Sequence, residues 1–126
     1  MKRKLVDVQG LPRLIVERIS KHRMHHHKDR GCSPLIVFEL NTALTRMEVL
    51  LEALSKIDFY DMSLVHDQIL FDTEDGDNII AIFTSFQRQF IGRNPTTVLL
   101  FDAIIDLCTT LHIRDEEWWV EYSRFN

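Results

Sequence analysis

The sequence predicts an α+β fold with the element order β-α-β-β-α-β over about residues 35–125, behind a basic strand–helix segment. Three observations predict it. Short apolar runs are bounded by turn residues, two longer segments carry helical spacing, and the C-terminal stretch is aromatic and β-branched. The chain is 126 residues long, 45% hydrophobic and 27% charged, which is enough to build one self-sufficient core. A single domain over 1–126 is expected, with residues 1–31 as a basic arm and 32–126 as an acidic body.

The elements follow in order. Lys4–Val8 is short and partly β-branched and reads as an edge strand. Gly10-Leu11-Pro12 is a turn that feeds a helix, because proline at the first helical position sacrifices no hydrogen bond. Leu11, Leu14, Ile15 and Ile19 form its apolar stripe, and Gly31 is its stop. Pro34–Leu40 is an apolar run behind a proline and reads as a buried strand. Thr45 and Glu48 match a capping box, so a helix is expected to start there. Met47, Leu50, Leu51, Leu54 and Ile57 continue it at helical spacing, with Glu52 and Lys56 paired on the wet side.

Leu64–Phe71 reads as a strand with Val65, Ile69 and Phe71 on one side. The acidic loop from Asp72 to Asn78 holds an Asp-Gly turn signal, so a hairpin is expected. Ile79–Phe83 is apolar on both faces, as a central strand would be. Asn94-Pro95 is a cap followed by a first-turn proline, and the helix it opens runs through Ile113. That helix is expected to expose only Asp102, Asp106, Thr109 and Thr110. Residues 115–125 read as the last strand from their aromatic content, with a helical tail on a mixed α/β fold as the alternative. The resulting order is the split βαβ, ferredoxin-like pattern, which hosts many functions and implies none.

Charge is unevenly spread. Residues 1–31 hold nine Lys/Arg against three Asp/Glu, a net +6, and the remainder carries −10. A basic arm of that kind suits a polyanion, so Arg13, Arg18, Lys21, Arg23, Lys28 and Arg30 are the candidate nucleic-acid contacts. The opposite reading is that the arm neutralises the chain's own acidic body. No aromatic residue lies in 1–37, which argues against base stacking by this segment. His22 and His26 are one helical turn apart, a spacing that can chelate a divalent metal. The second ligand pair of a zinc signature is missing, so no cofactor is expected. Asp72, Glu74, Asp75 and Asp77 do not match an EF-hand loop and read as a solvated turn. His66 and Asp67, as strand neighbours, would point to opposite faces.

No phosphate-binding, dinucleotide-binding or nucleophile-elbow motif is present. Cys108 lies in an apolar segment and reads as core; Cys32 follows a glycine, and both are expected as free thiols. The charged start lacks an apolar leader core and no uninterrupted apolar run reaches membrane-spanning length, so a cytoplasmic or nuclear protein is expected. Trp118, Trp119, Tyr122 and Phe125 crowd the C-terminal end; they are the candidate interface anchors, with packing on the chain's own core as the equal alternative. The expectation is therefore a non-enzymatic interaction or regulatory module with a protein partner, a homodimer among the possibilities. Nucleic-acid binding through residues 1–31 and a metal-dependent role are the alternatives.

Overall fold

The apolar run that begins at Pro34 does not end at Leu40. Ile36, Leu40, Ala43, Met47, Leu50 and Leu54 continue it at steps of three and four, with no glycine or second proline to stop a helix. The computed structural model, which describes residues 10–20, 34–57, 62–72 and 76–124, shows one helix over this whole stretch. All five regular elements among the described residues are helices: α1 Gly10–Ile19, α2 Pro34–Lys56, α3 Met62–Asp72, α4 Gly76–Arg88 and α5 Pro95–Arg124. The ferredoxin-like α+β fold is overturned, and so is the mixed α/β alternative, apart from its helical tail. The Lys4–Val8 strand lies outside the described residues.

Each misread strand has a physical reason. Residues 34–40 are the first two turns of α2. Thr45, expected as a cap, sits in mid-helix, and its hydroxyl donates back to the Asn41 carbonyl at 3.0 Å. In α3, Met62, Val65 and Ile69 are buried at helical steps. The alternation of Val65, Ile69 and Phe71 omitted Met62. In α4, Ile79, Ile82, Phe83 and Phe86 are buried at i, i+3, i+4 and i+7, a helical signature cut short by ending the segment at Phe83. The hairpin between the two is therefore absent, since helices flank residues 73–75.

Other features match the expectation. Leu11, Ile15 and Ile19 are buried along α1 and Leu14 packs against them. Met47, Leu51 and Leu54 are buried on α2, and Glu52 meets Lys56 at 3.2 Å. The Asn94 side chain accepts from the Thr97 amide at 3.2 Å, which caps α5 with Pro95 as its first residue. Gly92 precedes that cap with φ +80°, a left-handed conformation that closes the turn between α4 and α5 at no steric cost to glycine.

Helix α5 outruns the expected Ile113. No glycine or proline follows Pro95, and the acids at 115–117 are tied into the helix instead of ending it. Arg114 pairs with Glu117 one turn on, and His112 lies 3.9 Å from Glu116. Thr97, Phe101, Ile104, Cys108, Leu111, Asp115 and Trp118 form one buried seam at alternating steps of four and three. Phe101 carries ring contacts to Phe83 of α4 and to Phe90 in the turn before it.

Helix α1 packs against each of the other four helices, so part of the basic segment is built into the core. The remaining order of neighbours is α2 beside α5, α5 beside α4 and α4 beside α3. Among the described residues, helix α2 packs mainly on α5 and α1, and it leaves Leu35, Phe38 and Val49 exposed.

Candidate functional site

Two long helices packed side by side leave a furrow wherever the residues along their seam are small. On α2 the side chains facing that seam include Thr42, Ala43 and Arg46, and on α5 they include Ala103, Leu107 and Thr110. The furrow holds two cavities. One, of about 250 Å³, lies between Phe38 and Thr42 of α2 and Arg114 and Trp118 of α5. The other, of about 420 Å³, lies between Thr45 and Val49 of α2 and Ala103 and Asp106 of α5. Arg46, Leu107 and Thr110 line both, so the two form one groove. The N-terminal end of α2 faces the C-terminal part of α5, which makes the pair antiparallel.

The groove is rimmed by apolar side chains left in water. Phe38 is 66% exposed, Val49 61% and Leu99, one turn before Ala103, 66%. Large exposed apolar groups rising together beside a concave surface are a mark of an interaction site. Helix α5 shows the same surplus as a whole. Pro95–Trp118 is long and apolar enough by length and composition to cross a membrane, with a mean hydropathy of 1.5, yet only 28% of that window is buried. This corrects the expectation that the helix would expose only a thin polar stripe, since Leu99 and Ile113 are exposed as well. Asp102 and Asp106 lie within it, and a carboxylate at the centre of a bilayer costs about 3 kcal/mol. Asp102 also accepts from Gln87 of α4, which itself reaches the Val98 carbonyl at 3.0 Å.

One end of the groove is closed by charge. Arg114 donates from Nε and Nη2 to the Glu39 carboxylate at 3.1–3.2 Å, and to Glu117 from Nη1. Its guanidinium lies over the Trp118 ring, 5.4 Å from the centroid. Hydrogen bonding to Glu39 first, and to Glu117 after it, pushes the Arg114 pKa further up, so this clasp between α2 and α5 stays charged. The other charges of the groove, Arg46 and Asp106, are exposed, and neither has a partner among the described residues.

The residues singled out from sequence are not gathered into one place. Arg13 is exposed on α1. Arg18 reaches back to donate to the Leu70 carbonyl at 3.4 Å, so it serves the C-terminal end of α3. Lys21, Arg23, Lys28, Arg30, His22, His26 and Cys32 lie outside the described residues. Among the described residues no group of three His, Cys, Asp or Glu is placed to hold a metal. Glu74 and Asp75 of the acidic loop fall outside the description, as do the side chains of Asp72 and Asp77. His66 and Asp67 do meet, Nδ1 to Oδ1 at 3.5 Å, because helical neighbours are not on opposite faces as strand neighbours are. Trp118 is 3% exposed and packs in the core under Arg114. Trp119 and Tyr122 continue α5, though their side chains are not described, and Phe125 is outside the described residues.

Cys108 is buried and unpaired, and burial pushes its thiol up to about 12, so it is no nucleophile near neutral pH. Comparison with protein-family models, curated proteins and solved structures finds no match to this chain.

Proposed function

We propose that this chain is a helical interaction module that works without catalysis, docking a helical surface into the groove between α2 and α5. The observation that carries this reading is the open side of α2. A 23-residue helix buries only Ala43, Met47, Leu51 and Leu54, while Leu35, Phe38 and Val49 stand exposed on other sides. A helix gains most of its stability from tertiary packing, and these exposed apolar groups are left without it. A groove whose α2 wall presents Phe38, Thr42, Thr45 and Val49 at steps of three and four suits the receiving half of helix-in-groove recognition.

A photo-crosslinking residue placed at Val49 tests the reading in cells of the source organism. A discrete adduct of defined mass is expected from Val49, and none from the same residue placed at exposed Arg88 on α4. Equal smears from both positions, or no adduct at Val49, would remove the groove from consideration as a docking site.

A further inference from the structure

We infer that the occupant of the groove is a second copy of this chain, docked about a two-fold axis that runs along the groove. The inference rests on the docking role proposed above and adds the partner and its register. The deciding feature is the placement of two charges. Arg46 and Asp106 line the same cavity from opposite walls, so they sit at one level along the groove. Both are exposed and unpartnered among the described residues. Besides the Arg114–Glu39 clasp at its end, the groove therefore carries one unpaired cation on its α2 side and one unpaired anion on its α5 side, amid threonine, alanine and aliphatic groups.

Two families of two-fold arrangement follow the directions of the groove when this face is laid on its own copy. An axis crossing the helices places α2 on the partner's α2, which brings like charges together where it passes at the level of Arg46 and Asp106 and leaves both charges without an opposite partner where it passes elsewhere. An axis running along the groove places α2 over the partner's α5 and keeps the level of each residue. Each Arg46 then meets the partner's Asp106, twice per dimer. Like charges brought together are costly and opposite charges set the register, so the second arrangement is the one selected. It stacks two two-helix layers, in which Phe38 and Val49 from each copy are covered.

The size is adequate for this. The stripe from Leu35 to Ala53 on α2 spans about 27 Å at the helical rise. Two helices side by side are about 20 Å wide, so a pair of copies encloses on the order of 1,000 Å², the lower end of specific interfaces. The small residues Thr42, Thr45, Ala103 and Thr110 let the helices approach closely. A dimer that dissociates on dilution is the expected behaviour.

Sedimentation equilibrium on the full chain, across a concentration series, tests the proposal with two charge reversals. Arg46→Asp and Asp106→Arg both alter exposed side chains, and circular dichroism checks that each variant folds. The wild type is expected to pass from monomer to dimer as concentration rises. Each variant alone carries two like charges per groove and is expected to dimerise roughly 10- to 100-fold more weakly. An equimolar mixture of the two variants restores both opposite pairs and is expected to regain the dimer. A wild type that stays monomeric throughout overturns the inference, and so does a folded mixture that associates no better than its components. If the Val49 adduct then contains a different protein, docking stands and self-association alone has failed. If no adduct forms there, the docking role has failed with it.

Discussion

Arg114 shows what a single residue contributes when its partners come from far along the chain. Glu39 is 75 positions away, so no local spacing announces the pair, and only the packing of α2 on α5 brings it together. The residues that spacing did single out behave differently. Arg18 donates to the end of α3, and Trp118 takes the core-packing one of the two roles open to the aromatic tail. Cys108 was legible as core because its neighbours are apolar, and its burial has a measurable consequence. The folded thiol ionises near 12 and the unfolded thiol near its ordinary 9.0. Below pH 9 both states keep the proton and stability is unaffected. Between 9 and about 12 only the unfolded state releases it, so stability falls as pH rises. Cys108→Ala lacks this titration. The stability gap between wild type and Cys108→Ala is expected to shrink by about 1–2 kcal/mol between pH 8.5 and 10.5, read from urea unfolding. A gap that stays constant across that range would mean the thiol is accessible to water.

At the scale of elements, α1, α5 and the second half of α2 were read as helices from stripes followed over several turns, whereas the misread stretches were judged on short apolar spans. A run such as Ile79–Phe83 satisfies a buried strand and a buried helix equally, because a five-residue window cannot separate the two periods. Extending it to Phe86 decides for a helix. The two cap assignments make the same point with opposite outcomes. Asn94 and Thr45 are both cap-type residues ahead of apolar stripes, but only Asn94 follows a left-handed glycine that breaks the preceding helix. Thr45 has eleven helical residues before it, beginning at Pro34. Asn94→Ala is expected to cost about 1 kcal/mol, the usual loss for a side-chain cap. Thr45→Ala is expected to be neutral or slightly stabilising, because alanine is the better helix former at an exposed interior position. Thermal unfolding of the two variants under one set of conditions checks both, and a loss at Thr45 matching that at Asn94 would place a helix start at Thr45 after all.

At the scale of the molecule, the charge asymmetry suggested a basic arm standing in front of an acidic body, and the packing places α1, which carries Arg13 and Arg18 of that segment, inside the bundle. Charge describes the surface of a segment, whereas its place in the fold follows from its apolar residues. Arg13 and Glu17 are exposed on α1 while Leu11, Ile15 and Ile19 on its other side are almost wholly buried, and through them α1 touches every other helix. An appended arm and a central helix make different demands on stability. Removing a buried side chain from an arm would loosen the arm and leave the unfolding of the body unchanged. Ile15→Ala, in a central helix, opens a cavity at the meeting point of the bundle. The expected loss is about 2–5 kcal/mol, a large part of the 5–15 kcal/mol that holds a domain of this size folded. The loss should appear as one cooperative transition at lower urea, followed together by far-ultraviolet circular dichroism and by tryptophan fluorescence, which reports on Trp118 and Trp119 of α5. Two separated transitions, with the fluorescence change left at its wild-type midpoint, would return α1 to the status of an arm and divide the chain where its charge divides.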